Sequence, residues 1–446
     1  MTSIRTALTT FWQDTLLRKV VRNTGYLFSS STLGMGLGIV QSIFAARLLG
    51  VAGFGTQGAV IAFVSSIDRL FSFRMGELVV KYLGQFLAQE KKDHAAAVVK
   101  AAALIEAGSG IVAYLVVILL APLAAIYIIK DPATRPLFNF YALSLFANLV
   151  IETATAVLQI GGHFRTQAAI NLAQSLLTAA IIVYGFITRG NIWLVLTAYL
   201  LGKATLGLSL TVMAAWRIAQ MLGRDWWKVS FAFMPPRREF WRFALSSNFS
   251  GTVNLVTRDS EVLWVSFFLS PLEAGYYKVA LAVINLVLMP INPLINTTFP
   301  EIARAVAQET WSRLRELLKK LTLISGAWTG MISIILLLFG GWLIRTFYGA
   351  EYGVAAPAAL ILLIGFGLAN TLYWNRPLLL SLGEPTYPLK VMAFAGLVKI
   401  LMGFMLVPRL GYLAQAALMS AFFIASVSLI VWRGLGIIHR QQLMIS

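Results

Sequence analysis

Long apolar runs separated by short polar or glycine-bearing breaks fill this chain almost from end to end. A helix that crosses a bilayer needs about 20 mostly apolar residues. Twelve such segments are read at 26–48, 54–78, 96–121, 137–160, 166–188, 191–215, 242–268, 274–299, 321–345, 354–381, 386–408 and 411–434. Breaks at Gly50–Gly55, Asp131-Pro132, Arg189-Gly190, Ser270-Pro271 and Arg409-Leu410-Gly411 punctuate one set of ends. Segments this long exclude an outer-membrane barrel, whose strands are short and alternate. Two connectors are longer. Residues 216–241 set Trp226, Trp227 and Phe231 among Arg217, Arg224, Lys228, Arg237 and Arg238, which predicts an amphipathic helix lying on an anionic leaflet. Residues 301–320 predict a charged helical extension of the eighth span.

The pattern repeats. Leu49/Leu269, Gly55/Gly275 and Ala62/Ala282 coincide at a spacing of 220. Further on, Ala88-Gln89-Glu90 meets Ala307-Gln308-Glu309, and Lys100 meets Lys319, at 219. The expected organisation is a first lobe over 1–215, a linker over 216–241 and a second lobe over 242–446. Six spans per lobe is an even number, so both lobes enter the membrane in the same orientation. The repeat is therefore parallel, about an axis along the membrane normal.

Composition supports lipid as the main solvent. The 446 residues are 59% hydrophobic and only 12% charged, whereas soluble proteins are about a quarter charged. The net charge of +18 would suggest nucleic acid in a soluble chain. Here the basic residues gather at span ends and set topology instead. With the N-terminus inside, 21 Lys and Arg fall on the inner side and 6 on the outer, so both termini are expected in the cytoplasm. The lack of cysteine excludes disulfides and thiolate chemistry. His94, His163 and His439 have no metal-site spacing, and no removable signal peptide is read before the first span.

Nine basic residues remain inside apolar segments: Arg69, Arg74, Lys81, Lys100, Lys203, Arg258, Lys278, Arg376 and Lys399. Each costs about 2.5–3.5 kcal/mol at a helix centre, so such residues face a bundle interior or a wet cavity. Lys81, Lys100 and Lys278 lie near helix ends, within reach of headgroups. Arg258, Arg376 and Lys399 are deeper. In the seventh span Ser247, Ser250, Asn254, Arg258 and Glu261 form one stripe, with Asp259 beside it. Two readings of that stripe stay open: an internal Arg258–Glu261 pair at i,i+3, or a hydrophilic cavity face. The second span carries Asp68, Arg69, Arg74 and Glu77. The eighth carries Lys278, Asn285, Pro290, Asn292, Pro293 and Asn296. Asn370, Asn375 and Arg376 mark the tenth, and Asn148, Glu152, Gln159, Asn171 and Gln174 mark the fourth and fifth. The acids Asp68, Glu77, Glu106, Glu152, Asp259 and Glu261 are candidates for coupling to protons or Na⁺. There is no Walker A loop, no catalytic constellation and no long outward loop, so a transporter is expected rather than an enzyme.

These features resemble the polysaccharide (Wzx-type) oligosaccharide-flippase family of the multidrug/oligosaccharidyl-lipid/polysaccharide (MOP) exporter superfamily, over nearly the whole chain. The motifs that carry the resemblance are Leu49-Gly50 through Gly55, Leu269-Ser270-Pro271 through Gly275-Tyr276-Tyr277, Asp259 about ten residues earlier, Phe299-Pro300-Glu301-Ile302-Ala303-Arg304, Leu379-Leu380-Ser381-Leu382-Gly383 and Val407-Pro408-Arg409-Leu410-Gly411-Tyr412. The resemblance implies an all-α, MATE-like bundle of twelve helices in two six-helix lobes around a central cavity. It implies alternating access that carries a polyprenyl-pyrophosphate-linked oligosaccharide across a bacterial inner membrane, for O-antigen, capsule or exopolysaccharide assembly beside other polysaccharide-assembly proteins. Family members that handle the peptidoglycan precursor have fourteen spans, which twelve argues against. Arg258, Arg69, Arg74 and Arg376, with Lys203, Lys399 and Asn254, are the expected substrate contacts. Asp259, Glu261, Asp68 and Glu152 are expected to couple an ion or to pair with those cations. The first span offers only Gln41 and the terminal Arg47. The competing readings are an ion-coupled drug or cation antiporter, whose cavity should be net acidic, and a polytopic polymerase or ligase.

Overall fold

The computed structural model describes residues 15–72, 75–236, 240, 252–288 and 291–445. Arg74, Arg242, Ser247, Ser250 and Pro290 lie outside the described residues, as do the side chains of Asn292, Pro293 and Asn296. Among the described residues every regular element is helical. The first half comprises α1 (Thr15–Phe71), α2 (Met75–Ala88), α3 (Lys92–Ala124), α4 (Arg135–Ala142), α5 (Ser144–Ala147), α6 (Ile151–Ile160), α7 (Phe164–Ile187) and α8 (Ile192–Leu222). The second half comprises α9 (Glu261–Phe268), α10 (Pro271–Leu288), α11 (Ile291–Ala307), α12 (Trp311–Phe347), α13 (Ala356–Thr371), α14 (Asn375–Ser381), α15 (Thr386–Leu410) and α16 (Tyr412–Ile445).

Nine stretches of the described residues are long and apolar enough to cross a membrane. The first of them is two spans that meet at Gly50, whose φ of 65° turns the chain back on itself. The described residues on either side of Leu269–Pro271 are helical within the predicted seventh and eighth spans. Large apolar side chains such as Leu119, Ile187, Leu338, Phe394 and Trp432 are exposed on the outside of the bundle. A water-facing surface would not tolerate such a coat, and the protein is a multi-pass membrane protein.

The backbone confirms the repeat. Left-handed residues close four corresponding helix ends: Glu90 and Glu309, Lys130 and Gly349, Gly162 and Gly383, Arg189 and Gly411. Their hydrogen bonds match as well. The Lys91 amide donates to Phe86 as Thr310 does to Ala305, and His163 donates to Leu158 as Glu384 does to Leu379. The correspondence read from a few shared residues therefore extends to the turns at Lys130/Gly349 and Arg189/Gly411, which share no sequence.

The two halves meet at one end of the bundle. A core of buried residues from both halves, including Ala46, Phe54, Tyr277, Ile284 and Tyr352, packs there. Arg47 Nε donates to the Phe347 carbonyl at 2.7 Å, Tyr352 Oη to that of Ala46 at 3.0 Å, and Ser266 Oγ to that of Ile128 at 2.8 Å. Lys130 reaches the Leu269 carbonyl. Lys278, expected near headgroups, instead crosses this seam to Gln57 and to the Phe54 carbonyl, its ammonium 3.5 Å from the Phe54 ring centroid. Away from the seam the halves part. α2 packs on α3 and α6 of its own half, and α11 on α12 and α14 of its own.

The linker differs from expectation. α8 ends at Gly223 with a φ of 97°. The chain then makes two 3₁₀ turns, Trp226–Lys228 and Phe231–Phe233, rather than an amphipathic helix. Lys100 pins these turns by donating to the carbonyls of Trp227 and Val229, with its ammonium 4.1 Å from the Phe231 ring centroid. That contact, not a lipid headgroup, occupies this lysine.

Candidate functional site

Between the halves lies a cavity of about 620 Å³, within the size range of small-ligand sites. It forms where the spans break. In the second span α1 ends at Phe71, and the fourth span is interrupted between α5 and α6 and the tenth between α13 and α14. Interruptions free backbone groups and let polar side chains enter the bundle without facing lipid. Arg69, Glu152, Asn254, Arg258, Asp259 and Arg376 all reach this one space. A neighbouring space of about 690 Å³ shares Glu152 and continues along α2 and α6 past Glu77 and Gln159.

The first-half wall neutralises itself. A helix N-terminus carries unpaired N–H groups and attracts anions. Glu106, buried on α3, accepts from the amides of Glu152 at 2.7 Å and Thr153 at 3.0 Å, and so caps the start of α6. Glu152 in turn accepts from the Gly76 amide at 3.3 Å at the start of α2. Two acids read as ion-coupling candidates thus hold two broken helices in place. Glu106→Ala removes the acceptor of two buried N–H groups, each costing about 1–3 kcal/mol when unmet. Thermal unfolding in detergent is expected to show a clear drop in Tm for Glu106→Ala and a smaller one for Glu106→Gln.

The second-half wall keeps its charge. A π-helical turn at Leu255–Asp259 interrupts the seventh span, and such bulges recur at functional sites. It breaks the expected i,i+3 relation, so Arg258 does not pair with Glu261. Arg258 faces the cavity, its guanidinium 5.8 Å from the Phe423 ring centroid. Asp259 accepts from Arg69 of the other half at 2.5 Å. Glu261 points back into the bundle, where it pairs with Lys399 and accepts from Tyr277 at 2.7 Å and Gln415 at 2.9 Å. Lys399 also donates to the Thr257 carbonyl at 2.5 Å. With 3% and 2% of their side chains exposed, Lys399 and Glu261 hold the bulge from behind and do not line the cavity. Neither Arg258 nor Arg376 has a carboxylate partner among the described residues.

Other predicted residues are elsewhere. Lys203 lies over the Tyr141 ring at 5.6 Å, away from the cavity. Asp68 faces a smaller space of about 110 Å³ with Glu106 and Glu152. Gln41 donates to the Ser175 carbonyl at 2.9 Å and packs the first span on the fifth. Asn370 and Asn375 do line the cavity; Asn370 donates to Thr329 at 2.8 Å and Asn375 to the Leu372 carbonyl at 2.6 Å. Gln57 was not singled out from sequence. No local spacing marks it, because its partner Lys278 lies 221 residues away.

Two similar halves, broken helices and a charged cavity sealed at one end are the features an alternating-access membrane transporter requires. Residues 44–357 match the polysaccharide biosynthesis protein family, and the chain belongs to that family. It is similar to the inner membrane protein YghQ of Escherichia coli K12, with 24% identity over 344 residues that cover 77% of this chain and 96% of YghQ. Among solved structures, the inward-facing conformation of a multidrug resistance MATE family transporter of the MOP superfamily superposes with a TM-score of 0.76 at 14% identity, over 92% of this chain and 96% of that one. The inward closed conformation of the lipid II flippase MurJ superposes with a TM-score of 0.70 at 14% identity, over 94% and 91%. The fold is that of these MOP-superfamily transporters.

Proposed function

We propose that this protein is a flippase for a polyprenyl-diphosphate-linked oligosaccharide in a bacterial inner membrane. The observation that carries the reading is the cavity's charge. Arg69, Arg258 and Arg376 line it against two acids, Glu152 and Asp259, of which Asp259 pairs with Arg69 and Glu152 accepts from the Gly76 amide. Arginine offers planar, multidentate donors suited to phosphate. A cation antiporter would need the opposite balance. The diphosphate and first sugars would occupy the cavity, the remaining sugars the adjoining space along α2 and α6, and the lipid tail would stay in the bilayer. By the distribution of basic residues, 21 against 6, the sealed end faces outward and the cavity faces the cytoplasm. The role fits assembly of O-antigen, capsule or exopolysaccharide. If a proton or Na⁺ couples the cycle, Asp68 is the acid best placed to serve it, sharing its small space with Glu106 and Glu152.

Reconstitution into vesicles tests the reading. Wild type is expected to move a labelled lipid-diphosphate oligosaccharide across the bilayer. Arg258→Ala and Arg376→Ala are each expected to slow it roughly 10-fold or more, since a charge-assisted hydrogen bond is worth about 1.5–3 kcal/mol. Wild-type rates in both variants would remove the arginines from the site. Export of cationic dyes instead would favour the antiporter.

A further inference from the structure

Arg69–Asp259 is the one ion pair among the described residues that joins the two halves. Both residues line the main cavity, and both also line a space of about 410 Å³ on its seam side, beside Gln57 and Lys278. The pair therefore stands between the cavity and the seam. Its side chains are 59% and 38% exposed, against 3% and 2% for Lys399 and Glu261. The buried pair is fixed in place, whereas an open one contributes little and can exchange partners.

We propose that Asp259 stands in for a substrate phosphoryl group: it holds Arg69 while the cavity is empty, and a diphosphate seated at Arg258 displaces it, which releases the halves from each other. The proposal rests on reading the cavity as a diphosphate-lipid site. Arg258 and Asp259 are consecutive, so their Cα atoms are about 3.8 Å apart. Both line the same cavity as Arg69, so an anion bound at Arg258 shares that space with the Arg69–Asp259 contact. A single phosphoryl group is met by Arg258 and Arg376 and leaves Asp259 on Arg69. The second phosphoryl group of a diphosphate brings the added charge and bidentate oxygens that compete for Arg69. The exchange makes separation at the seam depend on a diphosphate, and so discriminates against monophosphate-linked lipids that share the same tail.

The chain has no cysteine, so spin labels can be placed uniquely. Ala133→Cys and Glu351→Cys put one label on each half at the sealed end, both at exposed positions. Electron–electron distances would be measured on the full chain in lipid nanodiscs, empty and with saturating farnesyl diphosphate or farnesyl monophosphate. The diphosphate is expected to raise the ratio of wide to narrow distances about fivefold or more, and the monophosphate to leave it unchanged. Asp259→Asn is expected to shift toward wide distances without ligand. The exchange Arg69→Asp with Asp259→Arg is expected to restore the narrow state, which also shows that the altered protein folds. Equal widening by both lipids, or an Asp259→Asn protein as narrow as the empty wild type, overturns the proposal. If calorimetry shows that farnesyl diphosphate does not bind the wild type, the diphosphate reading fails and the displacement step with it. The Asp259→Asn distances report on the latch in either case.

Discussion

Gly55→Ala is expected to lower transport at least tenfold, while Gly36→Ala in the same helix leaves it near the wild-type rate. A Cβ at Gly55 would lie 1.7 Å from the Pro271 carbonyl oxygen and 2.8 Å from the Gly275 amide nitrogen. A Cβ at Gly275 would lie 2.2 Å from the Val51 carbonyl oxygen. The contact is reciprocal: each glycine meets the residue four places before the other, as two copies of one motif must when they cross on a pseudo-twofold axis. The obstacle in both cases is backbone, which cannot rotate away, and the halves must move apart to admit even a methyl group. Overpacking of this kind typically costs about 1–3 kcal/mol, and 1.4 kcal/mol is tenfold in population. At Gly36 no atom lies within 4 Å of an added Cβ. A vesicle flipping assay, with a single cysteine introduced at Ser42 to report opening of the seam, checks both expectations. Normal transport with a closed seam in Gly55→Ala would contradict them.

Glu261→Ala is expected to be the most damaging single side-chain change in the second half. It leaves the Lys399 ammonium buried beside the Thr257 carbonyl and removes the acceptor for Tyr277 and Gln415. Breaking one partner of a buried pair costs about 3–5 kcal/mol, a large share of a typical protein's net stability. Little folded protein should be recovered. Glu261→Gln with Lys399→Met removes both charges at similar volume and is expected to recover most of the loss. Size-exclusion profiles and thermal unfolding in detergent measure the difference. A stable Glu261→Ala protein would mean that this pair does not hold the π turn.

The outline of the fold was legible because its causes are local. Lipid requires long apolar runs, and the duplicated motif around Gly55 and Gly275 marks the axis where the halves cross. The deep arginines were legible because a cation in an apolar run needs a reason. Arg69, Arg258 and Arg376 do share one cavity. Partners were less legible. A stripe at steps of three and four presupposes a regular α-helix through the seventh span, whereas the π turn at Leu255–Asp259 leaves Arg258 and Asp259 on the cavity and Glu261 inside the bundle. Lys278 lies near a helix end in sequence, as a headgroup-seeking lysine would. What places it in the seam is the crossing of two helices from opposite halves, which spacing does not encode. The linker has the composition of an amphipathic helix, but Gly223 ends α8 and Lys100 from a distant helix supplies the carbonyl partners of the next turns. The roles of Glu106 and Glu152 depend on breaks in neighbouring spans, so neither could be read from its own helix.

These placements also show how the halves divide the work. On the first half Glu106 and Glu152 serve helix starts, while Arg258 and Arg376 on the second half face the cavity. An anionic cargo is what such an unequal pair of walls is suited to hold. The most direct test is to locate a bound lipid: an experimental structure with a short polyprenyl diphosphate present. The account predicts the diphosphate in the central cavity, in contact with Arg258 and Arg376. A diphosphate held elsewhere, with both arginines free of it, would contradict the account.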